Sequence, residues 1–431
     1  MHWQKRRLLG PDVMELEMNK LIVEKKGHVC VIGAGIIGAT TAYALSRSGW
    51  SVTVIEAEQE AGMGASFANG AQLSYSYVEP LATPYALKKI PFWLLSCDSP
   101  IRWLPQFNKK HIWWLIKFIS YCNSKKVQST TKQLLDISFL TKNSLHGWLN
   151  DLGISESDIL LEKTGKLVIY RNQHELSAVK KQIEFQKSFG CQQEILSADQ
   201  CIEKEPSLAR IKRDIAFGVY TLSEEAVDCH KLSQLILKHS DVNEIYDARV
   251  LNFNIKGNKI ESIRTSKGEI AADKFVVAAG IETNTLLQKI NKELLIEPIK
   301  GYSVSFPIIN RDYAPNGSIT EQNRKIVFAR IGNTLRVAGY AEILGNNLKI
   351  DQRRIASLVA DAERVFPGAI DPKNFTSWAG LRPCSPSGIP YIQSIGYENL
   401  WVNAGHGSLG LTLSVGSAVL LAKKIDKCGY V

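Results

Sequence analysis

The chain has 431 residues, 45% hydrophobic and 22% charged, ordinary values for a soluble globular protein with mass enough for two or three domains that need not be continuous in sequence. Its net charge of +10 is spread along the chain with no block of like charges, so nucleic acid is not an expected partner. Eight irregularly spaced cysteines, with no Cys-x-x-Cys pair and no paired histidines, give no expected metal site and read as reduced thiols of a cytoplasmic protein.

Residues 1–27 carry Lys5, Arg6 and Arg7 followed only by short apolar runs. They are expected to form a flexible extension, neither a signal peptide nor a spanning helix, with Met14 and Met18 as alternative starts. Residues 28–56, HVCVIGAGIIGATTAYALSRSGWSVTVIE, read as a buried strand, a glycine turn, a small-residue helix and a second strand. Gly33, Gly35 and Gly38 form G-x-G-x-x-G: the first permits a tight turn, the second lets backbone approach a pyrophosphate, and the third allows close helix-to-strand packing. The phosphates are expected on the helix N-terminus at Ile36 and Ile37, where free N–H groups and the helix dipole favour anions. Glu56 ends the second strand, in place for a ribose hydroxyl and against a 2′-phosphate. This unit alone does not separate FAD from NAD.

Residues 64–74, GASFANGAQLS, follow as a glycine-rich loop. Residues 85–122 hold Trp93, Trp103, Trp113 and Trp114 among Lys88, Lys89, Arg102, Lys109, Lys110 and Lys117, with Asp98 as the single acid. That mixture suits either the core helices of a second domain or peripheral contact with an anionic membrane. From Arg249 onward, RVLNFNI, a Gly257-Asn258 turn, KIESIRT, a Lys267-Gly268 turn and EIAADKFVVAAG read as three antiparallel strands feeding a buried strand that ends at Gly280. A meander that returns to the nucleotide sheet favours FAD, with Val250, Ala279 and Gly280 expected beside the cofactor.

The loop at 64–74, EPIKGYS at 297–303, LRVAGYAEILG at 335–345, WAGLRPCSPSGIP at 378–390 and NAGHGSLGLTLSVGS at 403–417 together resemble the D-amino-acid dehydrogenase small-subunit family of the FAD-dependent D-amino-acid oxidase superfamily. The order of motifs is the same from about residue 28 to 425. The resemblance implies an α/β fold: a Rossmann-like FAD-binding domain with an interleaved α+β substrate domain on a mixed sheet. The FAD domain is expected from 28–85, 211–295 and 371–431, and the substrate domain from 86–210 and 296–370.

By that resemblance Ser66 is a phosphate ligand, Asn69 and Gln72 lie beside the isoalloxazine ring, and Arg382 holds the amino-acid carboxylate. A guanidinium suits that task, because its planar fork offers two parallel charge-assisted bonds and stays ionised when half buried. Gly407, Gly410, Leu411 and Thr412 open an apolar helix whose N-terminus can face the flavin N1–C2=O locus and stabilise the negative charge of reduction. Tyr302 is expected at the substrate carboxylate or covering the site; it reads equally as structural. His406 reads equally as a substrate or flavin contact and as a turn histidine satisfied by backbone; Tyr340 and Glu342 lie on a strand expected to line the pocket. Cys384 is badly placed for a covalent flavin tether, so non-covalent FAD is expected. One departure stands out: many relatives carry an aspartate where Ser387 follows Pro386, which leaves the hydrogen bonding of that turn open.

The implied activity is oxidative deamination of an amino acid, a D-amino acid foremost, by hydride transfer to flavin N5, with no dedicated acid or base. The electron acceptor is expected to be a quinone or another carrier in place of oxygen, and the location cytoplasmic, on the inner face of the membrane if residues 85–122 make contact. Alternatives are a flavin amine oxidase acting on glycine, a secondary amino acid or an opine; a catalytically idle FAD-binding redox or assembly subunit; and, disfavoured by the later motifs, an NAD-dependent dehydrogenase.

Overall fold

A computed structural model describes residues 25–428 apart from 79, 96–98, 105 and 107. Almost all of the expected extension at 1–27 therefore lies outside the described residues. Two sheets organise the molecule. The first has six strands, in the spatial order Tyr391–Ser394, Leu400–Ala404, Lys274–Val277, His28–Ile32, Ser51–Ile55 and Asn243–Ile245. All neighbours run parallel except the first pair. Parallel strands need both faces covered, which is why Val29, Cys30, Val31, Val52 and Val54 form nearly unbroken apolar runs with little or no exposure.

The helix Ile36–Arg47 and the C-terminal helix Gly410–Lys427 cover one face of this sheet and share a core with it through Leu45, Val415 and Leu421. Each such buried side chain contributes roughly 1.5–3 kcal/mol of transfer free energy. The C-terminal helix is long and apolar enough to cross a bilayer. Here its apolar length is spent inside the fold, between Ile36–Arg47 and the helix Ser124–Asp151. The latter starts at Asn123, whose side chain accepts from the Lys126 N–H. It buries Leu134, Leu135, Leu145, Trp148 and Leu149 in the same core, so part of the segment 86–210 that was expected in the substrate domain packs on the nucleotide-binding side. The cause is its stripe of apolar residues at helical spacing, which fits the C-terminal helix.

The second sheet is mixed and has nine strands. Its spatial order is Thr376–Cys384, Glu297–Pro307, Thr334–Ile343, Ile326–Ile331, Ser318–Glu321, Lys166–Tyr170, Phe217–Thr221 and Glu194–Leu196, with Ile101–Trp103 beside the end of Thr334–Ile343. The helix Gln352–Val365 seals one face by packing Ile355, Leu358, Ala362 and Val365 against Phe306, Phe328 and Val337. Phe217–Thr221 and Thr376–Cys384 belong to this sheet, although residues 211–295 and 371–431 were expected in the FAD domain. Alternation marks a strand but does not say which distant strand it will pair with. The three strands Val250–Lys256, Lys259–Thr265 and Gly268–Ala271 form the antiparallel meander expected of them and feed Lys274–Val277 in the first sheet.

Candidate active site

A groove of about 940 Å³ runs between the two sheets, and both Gly33 and Arg382 line it. At its nucleotide end the chain leaves His28–Ile32 through Gly33, whose φ of +106° belongs to glycine, and turns into the helix at Ile36. A Cβ on Gly38 would overlap the Gly33 carbonyl oxygen, so this third glycine presses helix onto turn and does not itself line the groove. Gly35, Ile36 and Ile37 do line it. The Ile36 N–H donates to Ser66 Oγ at 3.0 Å, which brings the glycine-rich loop against the start of the helix.

Glu56 is held rigidly at the end of its strand. One carboxylate oxygen accepts from the Ala34 N–H at 2.6 Å, the other from the N–H groups of Ala57 and Glu58 at 2.8 and 3.1 Å. Val250, Ala279 and Gly280 form the facing wall. A bent backbone cradle, a helix N-terminus with no acid in its first turn, and a fixed carboxylate fit the pyrophosphate and ribose of a dinucleotide.

Further along, the loop after Ser66 is fastened to the second sheet. Ser303 Oγ donates to the Ala68 carbonyl at 2.7 Å, and Arg336 reaches the Asn69 carbonyl at 3.5 Å. The Asn69 side chain accepts from the Ala71 N–H at 2.9 Å, and the Gln72 amide donates to Ser318 Oγ. Thr412, in the first turn of the C-terminal helix, accepts from the Ser74 N–H at 3.0 Å and donates to the Gln72 carbonyl at 3.3 Å. Gly407, Gly410 and Leu411 complete this wall, where the helix N-terminus meets the groove.

Arg382 stands at the far end, on a strand registered so that Arg382 faces Ile299. Gly301 makes room for it, since any Cβ there would collide with the guanidinium. Nη1 donates to the Tyr340 carbonyl at 2.8 Å. Among the described residues no carboxylate lies within ion-pair distance of this guanidinium, and burial pulls its proton affinity below that of a free arginine. The side chain is half-buried and open to the groove, and a partly desolvated cation without a counter-ion is costly unless a ligand supplies one.

Tyr302 lines the groove, but its hydroxyl donates to Glu342 Oε2 at 2.7 Å instead of remaining for a ligand. Burial and Glu342 push that phenol well above its usual range. Glu342, on the same strand as Tyr340, does not line the groove: it is buried and also accepts from Arg354 Nε at 2.9 Å. Tyr340 is a wall residue, with its ring under the Arg354 guanidinium at 4.4 Å. His406 also borders the groove, but its Nε2 lies 3.1 Å from Ser417 Oγ and burial lowers its pKa to about 3, so the ring is neutral and tied to the C-terminal helix. Cys384 is held as a thiol, its pKa raised by burial to about 12. In the following turn Ser387 Oγ accepts from the Ile389 N–H at 3.1 Å and Ser385 Oγ from the Gly388 N–H at 3.1 Å. Two serines therefore supply the bonds that the missing aspartate left open.

Sequence reasoning did not find Lys166, which lines the groove, nor the buried Glu224 near it. The only signal was a lysine opening the otherwise apolar strand KLVIY. Among the described residues no cluster of three His, Cys, Asp or Glu is arranged to hold a metal.

Comparisons with known proteins agree with this geometry. The profile of a family described as FAD dependent oxidoreductase matches residues 28–424. The chain is 39% identical over 415 residues to a D-amino acid dehydrogenase 2 of Ralstonia nicotianae, covering 93% of this chain and 96% of that one. It is 35% identical to a D-amino acid dehydrogenase 2 of Pseudomonas aeruginosa, covering 93% and 95%. Among solved structures, glycine oxidase from Geobacillus kaustophilus superposes with a TM-score of 0.72 at 18% identity, covering 93% and 95%. L-proline dehydrogenase from P. horikoshii does so with a TM-score of 0.69 at 18% identity, covering 94% of each chain. Cradle, fixed carboxylate and profile converge on one cofactor, and the chain belongs to the family of FAD-dependent oxidoreductases that includes its D-amino acid dehydrogenase relatives.

Proposed function

We propose that the protein oxidises the Cα–N bond of an α-amino acid, a D-amino acid foremost, to the imino acid, which water converts to a 2-oxo acid and ammonia. The observation that carries this reading is Arg382: a half-buried guanidinium with no acidic partner among the described residues, at the end of a groove shaped for FAD. The D-enantiomer is favoured by the names of the relatives that match over nearly the whole chain.

Bound FAD supplies a two-electron acceptor for the hydrogen on Cα. Arg382 grips the substrate carboxylate, and its bond to the Tyr340 carbonyl fixes the plane of the fork. Orientation of the Cα–H bond is then the chain's main contribution. One proton leaves the substrate ammonium before the hydride can depart. His406, neutral and bonded to Ser417, is not suited to take it, so the reading keeps that loss to solvent.

The electrons then pass to a quinone or another carrier, and a second surface supports that step. The helix Lys109–Tyr121 buries His111, Trp114 and Phe118 but leaves Ile112, Trp113, Ile116 and Ile119 between 42% and 57% exposed, beside Lys109, Lys110 and Lys117. Exposed isoleucines and a tryptophan among lysines fit the anionic inner face of a cytoplasmic membrane. We place the protein there as a peripheral enzyme.

The direct test is anaerobic mixing of the purified yellow protein with D- and L-amino acids, glycine, sarcosine and proline. Bleaching of the flavin by D-amino acids supports the reading. Bleaching only by glycine or secondary amines transfers it to a related amine oxidase, and no bleaching by any of them makes the chain an idle flavin carrier.

A further inference from the structure

Lys166 is 3% exposed, yet it borders the cofactor groove. Its Nζ donates to Gln72 Oε1 at 2.9 Å and to Ser74 Oγ at 3.0 Å, and lies 4.2 Å from the centre of the Tyr77 ring. All of these partners are neutral. Among the described residues no carboxylate lies within 4.0 Å of Nζ, so no direct ion pair cancels the charge.

A buried carboxyl group, that of Glu224, acts on this charge. Glu224 is 1% exposed, accepts from the Ser76 N–H at 2.7 Å through Oε1, and keeps a buried Oε2 with no hydrogen-bond partner. Ser74, which holds the ammonium, and Ser76, which holds this carboxyl group, are two positions apart on one segment. Burial lowers the lysine pKa and raises that of Glu224, each offset in part by the other's charge.

The position of the pair relative to the groove gives it a use. Gln72 and Ser74 are the two residues that Thr412 clamps to the first turn of the C-terminal helix. The ammonium and the first turn of that helix therefore hold the same two residues, one by their side chains and the other by their backbone, and both border the groove. A lysine serving only to fill space there is disfavoured, because desolvating an ammonium costs several kcal/mol that an apolar residue would avoid.

We propose that Lys166 is an electrostatic positioning residue for the flavin: its ammonium adds to the field of the C-terminal helix's first turn and raises the reduction potential of bound FAD, with Glu224 setting how far. The inference rests on the reading that the isoalloxazine ring lies at the Gln72 end of the groove. It is specific to this chain's residues and involves no contact between Lys166 and substrate.

The experiment is a midpoint-potential measurement on FAD-loaded wild type, Lys166→Met, Lys166→Gln, Lys166→Arg and Glu224→Gln by equilibration with reference dyes. Lys166→Met should lower the reduced-to-oxidised ratio at fixed ambient potential at least about tenfold, about 30 mV for a two-electron couple. Lys166→Arg should recover most of that loss, and Glu224→Gln should shift the ratio the other way. An unchanged potential in Lys166→Met with stoichiometric flavin overturns the proposal. If Lys166→Met does not retain flavin, Lys166→Gln decides: a lowered potential supports the proposal and an unchanged one overturns it. Wild-type protein with no flavin spectrum would instead refute the cofactor reading itself.

Discussion

Arg382 donates from Nη1 to the Tyr340 carbonyl oxygen at 2.8 Å, and Tyr340 offers that carbonyl from a left-handed backbone at φ +64°. A bulky residue in this region costs on the order of 1–3 kcal/mol. The cost is offset by the Arg354 guanidinium over its ring and by the bond from its hydroxyl to Ser357 Oγ at 2.7 Å. Backbone strain and a half-buried, unpaired cation are thus concentrated at one corner of the groove, where the substrate is expected.

Tyr302→Phe separates support from binding. Its hydroxyl serves Glu342, so removal should cost about 1–2 kcal/mol of stability, read as a lower Tm, while KM for the amino acid changes less than about threefold. A tenfold or larger rise in KM with normal Tm would return Tyr302 to the substrate carboxylate.

Gly38→Ala tests the cradle. The added methyl group overlaps the Gly33 carbonyl oxygen, which is backbone and cannot rotate away. The variant should lose bound flavin and unfold several degrees lower, at a cost of about 1–3 kcal/mol for overpacking. Full flavin occupancy with unchanged Tm would show that the turn and helix are not in close contact.

His406 predicts an acid-limb effect. In the folded chain its pKa is lowered by burial to about 3, whereas the unfolded imidazole titrates near its ordinary value of about 6.5. The unfolded state binds the extra proton first, so stability should fall as pH drops from about 6.5 toward 3, by up to about 4 kcal/mol from this group. Urea unfolding of His406→Asn should show a shallower loss over that window. An equally steep loss in the variant assigns the acid limb to other groups.

The helix Lys109–Tyr121 predicts where the protein is found. Replacing Ile112, Trp113 and Ile116 together by Glu should release it from anionic vesicles in a flotation assay, while turnover with a soluble artificial acceptor is kept. Wild-type protein that fails to float at low salt would remove the membrane from the account.

The legible and illegible parts of the sequence divide by range. The unit from Gly33 to Glu56 could be read because every contact that defines it is local: glycines, helix start and terminal acid fall within one βαβ stretch. Arg382 was found through the motif around it. The sheet that carries it was misassigned, because pairing with Glu297–Pro307 depends on residues some eighty positions away. Lys166 and Glu224 were missed for the same reason: they bond Ser74 and Ser76, a segment remote from both in sequence. The roles of Tyr302 and His406 turned on single hydrogen bonds, to Glu342 and Ser417, that no periodicity encodes.

The account stands most directly on a comparison of D-alanine with D-alaninamide, which lacks the carboxylate, as reductants of the flavin in wild type and Arg382→Met. Wild type should bind D-alanine about 10²-fold or more tightly than the amide, the worth of two charge-assisted bonds. Arg382→Met should lose that preference while keeping its flavin. An Arg382→Met enzyme that still favours D-alanine as strongly as wild type would contradict the assignment of Arg382, and with it the placement of the substrate at that end of the groove.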